Sequence, residues 1–314
     1  MASSTENLNN LLVEFKIASG LKTDVHIDIL EKIDTYPKAQ ALEIYNFFLT
    51  KETNPAILLY IVKKLAYFDQ NSSIDILVEL LLWKEKFNAS DKNPDDYIEL
   101  RSYVARILGM TKNSKVVLPL LYTLNSKNEN YKVRLSCAEA LGQVGNNYAV
   151  SSLINVVSDN EEKSVYLRET AAKALGKIRD SRALAPLVEI LEGKDGLISK
   201  FSFFKERIVE AIGNIGSKDK RSIQILEKSL MDHSPYVRMS AIEALSKLDD
   251  DETIPLIQNC LKDENQDVIR SAVNALYNIL GEEILVKIIY DAESSIVAID
   301  EAKLILEEDN NNEE

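Results

Sequence analysis

The chain has 314 residues, 46% of them apolar and 28% charged, with ten glycines, seven prolines and a net charge of −13. The apolar share excludes general disorder, and so few turn residues exclude a β-sandwich of this size, leaving an all-α chain. An acidic body repels phosphate backbones, no apolar run reaches the roughly 18 residues of a membrane span, and no basic leader is present. These features predict a cytoplasmic protein with a protein partner, no nucleic acid and no membrane insertion.

In chain order, the first elements are helical but irregular. The segment DVHIDILEKI followed by AQALEIYNFF reads as one helix pair, and AILLYIVKKLAYF, opened by Asn54-Pro55, followed by SSIDILVELLLW reads as a second. Residues 1–92 are therefore taken as degenerate repeats, worn because an end repeat meets solvent or a partner where an inner one meets a neighbour. A connection from Lys84 to Asp96, longer than a repeat requires, separates them from the rest.

From Leu100 onward a twelve-residue phrase recurs six times: LRSYVARILGMT, VRLSCAEALGQV from Val133, LRETAAKALGKI from Leu167, FKERIVEAIGNI from Phe204, VRMSAIEALSKL from Val237 and VIRSAVNALYNI from Val268. Successive starts are 33, 34, 37, 33 and 31 residues apart, the length of a two-helix repeat. Apolar columns at i, i+4, i+7, i+8 and i+11 mark one face of an α-helix. The i+7 column holds Ala140, Ala174, Ala211, Ala244 and Ala275, small enough for neighbouring layers to approach closely. Gly109, Gly142, Gly176 and Gly213 form the next-but-one column, with Gly145 and Gly216 three residues later, and glycine there suits the φ > 0 residue that ends a helix. Pro119, Pro186 and Pro255 mark the first turns of the second helices. Asn130, Ser164, Ser234 and Asn265 stand where an N-cap is needed. Closing helices follow in EEILVKIIYDA and SIVAIDEAKLILEE, so that residues 93–306 form the regular repeats with their cap, and 307–314 an acidic tail expected to be disordered.

Chemistry-bearing residues are few. His26 and His233 lie far apart, and Cys137 and Cys260 sit in apolar-periodic stretches as core residues. No phosphate-binding glycine loop, nucleophile elbow or His-Glu metal motif is present, so no catalytic residue and no metal site is assigned. Arg101, Arg134, Arg168, Lys205 and Arg238 occupy one column, broken by Ile269. It reads as a structural ladder donating to carbonyls or acids of adjoining repeats, with a row gripping an anionic ligand as the alternative. The candidate partner-binding residues are the polar second-helix column Tyr122, Asn155, Glu189 and Gln258, together with Phe201 and Phe203 in the long connection Gly193 to Phe203.

The V-R-x-x-A-x-x-A-L-G phrase followed by P-L-h-x-x-L, over about Tyr97 to Tyr290, resembles the HEAT-like repeats of the phycobilisome-lyase type. The phrases of ankyrin and tetratricopeptide repeats do not occur. The resemblance implies a right-handed α-solenoid of stacked antiparallel helix pairs, about eight repeats including the degenerate ends. It also implies a phycobilin lyase or bilin chaperone that helps attach a linear tetrapyrrole, its substrate, to a cysteine of a phycobiliprotein subunit. Partners would be that subunit and a second HEAT-repeat subunit. A non-catalytic scaffold for assembly or turnover of a protein complex stays open beside it.

Overall fold

The computed structural model describes residues 10, 13, 23–68, 70–82, 94–193, 200–248 and 250–312. Their regular structure is all helical, with no strand among them. The order is α1 (Thr23–Glu31), α2 (Lys38–Lys51), α3 (Pro55–Leu65), α4 (Ile74–Leu82), α5 (Ile98–Met110), α6 (Val117–Asn125) and α7 (Tyr131–Val144) in a first compact unit, Met1–Asn146. A second unit, Asn147–Glu314, holds α8 (Val150–Ser158), α9 (Val165–Ile178), α10 (Leu184–Glu192), α11 (Ser202–Ile215), α12 (Lys220–Ser229), α13 (Pro235–Ser246), α14 (Ile254–Asn259), α15 (Gln266–Leu280), α16 (Glu282–Tyr290) and α17 (Ile296–Asn312). From α5 to α15 long first helices alternate with shorter second helices, and each unit is an α-solenoid of stacked antiparallel pairs. Most of the connection from Lys84 to Asp96, and residues 194–199 of the second long connection, lie outside the described residues.

Local signals start the helices as the sequence predicts, with one exception. Asn130 accepts from the N–H of Lys132, Ser164 from that of Leu167, and Asn265 from those of Asp267 and Val268. Ser234 occupies the N-cap position of α13, yet its hydroxyl caps nothing. Ser234 instead gives its own N–H to Asp232, and Pro235 at N1 supplies a φ already suited to the first turn. Asn54 caps α3 ahead of Pro55 in the same way as its regular counterparts.

The alanine column is buried: Ala140, Ala174, Ala211, Ala244 and Ala275 are at most 7% exposed. The glycines facing it correct the sequence reading. Gly109, Gly176 and Gly213 lie inside their helices, and a Cβ built on them would stand 2.7 Å from the Cα of Ala140, 2.9 Å from that of Ala211 and 2.5 Å from the Cβ of Ala244. Their column exists for close approach of two backbones, so a side chain has nowhere to go. Helix ending falls to the position three residues later, where Gly145 and Gly216 have φ near +71° and +72° and two non-glycines, Lys112 and Arg179, take φ of 50° and 59°. The N–H groups of Gly145, Arg179 and Gly216 close the last turns onto the carbonyls of Leu141, Leu175 and Ile212.

The acidic tail is a second correction. α17 runs to Asn312, so the chain is helical past Leu306 where disorder was expected. Glu307 and Glu308 are good helix formers and extend a helix already anchored by buried Ala298, Ala302 and Ile305.

Candidate functional site

The basic column is held inside the layers, with Arg101, Arg134, Arg168 and Arg238 at most 8% exposed. Arg101, Arg134 and Arg168 reach back to the end of the preceding second helix, and Arg238 reaches the loop just after it. Arg101 Nε donates to the carbonyl of Leu81, Arg134 Nε to that of Leu124 and Arg168 Nε to that of Val157, each at 2.9 Å, while Arg238 Nη1 donates to that of Asp232 at 2.8 Å. The last carbonyls of a helix have no partner within it and carry partial negative charge, so a cation satisfies both needs.

Arg101 and Arg238 also grip an acid ahead of them. Glu129 accepts from Arg101 at 3.0 and 2.5 Å and takes the N–H of Asn130 at 2.9 Å. Asp263 accepts from Arg238 at 2.9 and 2.7 Å and takes the N–H of Asn265 at 2.8 Å. Lys205 makes the same link to Asp232, which takes the N–H of Ser234. Arg168 sets its guanidinium 4.9 Å from the ring centroid of Phe204, the first residue of the next phrase. The column is therefore a row of clasps: Arg101, Arg168 and Arg238 tie backbone behind them to an acid or ring ahead, while Arg134 holds the helix end behind it and Lys205 the loop acid ahead. Ile269, which interrupts it, is buried, and Arg270 turns to Asp267 and Glu301 on the surface. The acids at Glu129, Asp232 and Asp263 are the part that sequence reasoning missed; the signal was an acid 25–28 residues after each base.

The residues of the second-helix column lie at the surface. Tyr122 on α6 is 59% exposed, and Asn155 on α8, Glu189 on α10 and Gln258 on α14 are exposed as well. Phe201 and Phe203 belong to a different place, the start of first helix α11, and both are half-buried. Their rings meet at 5.5 Å, and Phe203 stacks on Tyr166 of α9 with centroids 5.7 Å apart and planes 14° from parallel.

Tyr166, Phe203 and Tyr236 stand one residue before the opening apolar residue of three consecutive phrases, so the repeat carries an aromatic along one edge of the second unit. Tyr166 and Tyr236 are 59% and 66% exposed. Of these only Phe203 is among the residues singled out from the sequence, because the aromatic position lies just outside the apolar columns that mark the repeat.

Both thiols are unpaired and buried. Burial pushes the pKa of Cys137 far above its ordinary value and that of Cys260 up to about 11. Among the described residues no group of three or more His, Cys, Asp and Glu could hold a metal, and no helix is long and apolar enough to cross a membrane.

Among solved structures, the chain is similar to the complex of CpcE and CpcF of phycocyanin lyase from Nostoc sp. PCC7120, at 24% identity over 73% of this chain and 92% of that one, TM-score 0.48. It is similar to an engineered protein at 16% identity over 93% and 86%, TM-score 0.53, which shows the shared fold. The archaeal HEAT-like repeats protein from Thermococcus onnurineus NA1 matches at 14% identity over 73% and 94%, TM-score 0.45. Comparison with the curated proteins finds no match. The family model of HEAT repeats matches residues 88–165, 126–200 and 203–277, more than half of the chain, and the chain belongs to the HEAT-repeat family.

Proposed function

We propose that the chain is a protein-recognition scaffold whose second unit meets its partner along the aromatic edge Tyr166, Phe203 and Tyr236, with Asn155, Glu189 and Gln258 contributing polar contacts and Tyr122 doing so on the first unit. The observation that carries this reading is the solvent-facing aromatic repeated at one register. An apolar ring held in water is costly unless something covers it, and tyrosine is the usual material of interface hot spots. Phe201 and Phe203 fit the same use, since their mutual contact and the stack on Tyr166 hold the rings in place before a partner arrives.

A narrower reading makes the partner a phycobiliprotein subunit and the cargo a linear tetrapyrrole joined to the subunit's cysteine. It is supported by the repeat phrase and by the burial of both cysteines, which leaves the chain with no thiol to compete for the bilin. Holding two reactants in place would be its contribution, as thiol addition needs orientation more than added acid or base. In this reading a second HEAT-repeat subunit completes the grip.

Both readings meet one experiment. The chain is co-expressed with phycobiliprotein subunits and a bilin-synthesis pathway, and covalent colour and co-purification are scored separately. Colour that survives denaturation and depends on the chain supports the narrower reading; capture without colour leaves the scaffold. Tyr166→Ala with Phe203→Ala, and separately Tyr122→Ala with Phe203→Ala, should reduce capture about tenfold with helicity unchanged. Normal capture by both double variants removes this edge and column as the interface.

A further inference from the structure

The first unit holds an open cleft of about 680 Å³, within the size range of a ligand site, whose lining shares no residue with the sites assigned above. Asp34 and Lys38 line it from the α1–α2 connection and the start of α2, Tyr60, Lys63 and Lys64 from α3, Tyr67 and Phe68 from the turn that follows, and Tyr103 from α5. Three ammonium groups and four aromatic rings therefore face one concave surface, in a chain whose net charge is −13.

The one carboxylate in the lining is committed. Asp34 pairs with Lys64 and accepts from the Tyr45 hydroxyl at 2.7 Å. Lys64 in turn lies 5.3 Å from the ring centroid of Tyr60. Lys63 lies 5.9 Å from the ring centroid of Tyr103, whose ring also carries Arg106 at 5.1 Å. The only acid that Lys63 reaches among the described residues is Glu99, at 3.7 Å with both side chains more than half exposed, a pairing that water screens and a ligand can displace. Lys38 and Arg106 have no ion pair among the described residues. Tyr67 stands 81% exposed at the rim.

We infer that this cleft binds an acidic peptide segment carrying an aromatic side chain. Its carboxylates would bridge Lys38 and Lys63, with Arg106 behind, while its ring packs on Tyr67, Phe68 and Tyr103. Charge complementarity sets the ligand's sign, because the lining's lysines outnumber its single occupied carboxylate. The distant acids of the chain matter little here, since at physiological salt a charge is felt over only about 8 Å. Glu31 and Glu99 flank the cleft and weaken the field without reversing it. The open mouth admits an extended chain, and rings already stacked under cations present an amphipathic floor that a peptide's backbone and side chains can cover. This site goes beyond the aromatic edge of the second unit, so either can fail alone.

The test is fluorescence anisotropy of the full-length chain with a fluorescein-labelled peptide of alternating glutamate and tyrosine. Matched probes carry glutamine for glutamate or alanine for tyrosine, and a labelled oligothymidylate tests for nucleic acid. Binding should weaken about tenfold for Lys63→Glu and again for Lys38→Glu, both exposed positions whose variants keep the fold, and about threefold for Tyr67→Ala. The glutamine peptide should bind at least about tenfold more weakly, and raised salt should weaken the acidic peptide alone. Indifference to Lys38→Glu with Lys63→Glu, equal binding of the glutamine peptide, or tighter binding of the oligothymidylate would each overturn the assignment.

Discussion

The layers from α5 onward and the layers before it are joined by opposite means. Three seams of the regular repeats, Gly109 on Ala140, Gly176 on Ala211 and Gly213 on Ala244, set glycine against alanine with no room for one added carbon. The N-terminal layers instead bury Tyr45, Phe48, Ile57, Ile61, Leu65 and Leu77. Small residues make a flush seam whose register is fixed by contact of backbones. Large ones fill the joint with interdigitated side chains, and beside it lies the open cleft lined by α3 and by Tyr103 of α5. A worn repeat has thus exchanged uniformity for surface relief.

If that contrast holds, the two regions should respond to opposite changes. The largest effect is expected from shrinking the N-terminal joint: Ile61→Ala should cost about 2–5 kcal/mol through the lost burial and the cavity left behind, read by chemical denaturation or by hydrogen exchange of α3. Removing a clasp comes next. Arg238→Ala strands the carboxylate of Asp263, whose side chain is 11% exposed, and should cost about 3 kcal/mol while leaving partner capture intact. Loss of capture with unchanged stability would reverse the structural assignment of the column.

Growing the regular seam should cost somewhat less. Gly213→Ala, and likewise Ala174→Leu, should destabilise by about 1–3 kcal/mol through overpacking, even though alanine outranks glycine as a helix former by about 1 kcal/mol. A Gly213→Ala variant as stable as its parent would mean that the seam can spread, and the contrast would fail.

The smallest effect concerns acid. Burial works against ionising Asp34, yet the hydrogen bonds from Lys64 and Tyr45 outweigh it and hold its carboxyl below the ordinary value of 3.8. A lowered native pKa means stability that is present above the unfolded value and lost as pH falls through the native one. The first unit should therefore loosen below about pH 4, and Asp34→Asn should flatten that dependence. An unchanged acid profile in the variant would show that the pair contributes nothing to folding.

Much of this was legible in the sequence. Period, helix face, alanine column and most caps follow from 3.6-residue spacing and from capping chemistry, which act locally. What was misread depends on distance through space. Gly109, Gly176 and Gly213 look like helix terminators until the alanine opposite them is seen, and Arg179 shows that the true terminating position does not require glycine. The clasp acids lie one helix pair away from their bases, too far for a local pattern to join them. The cleft draws on three separate helices and has no sequence signature at all.

The clasps also bear on how such a chain can lengthen. An arginine such as Arg101 or Arg238 and its acid fall within one repeat length, while the carbonyl it takes from behind is backbone and comes with any sequence. A tandem duplication cut anywhere between an acid and the following base copies donor and acceptor together and leaves no orphan charge at either junction. A cut between a base and its own acid divides the original pair. Inheritance by whole repeats is thus electrically neutral in this design, and the reading frame of duplication is set by salt bridges.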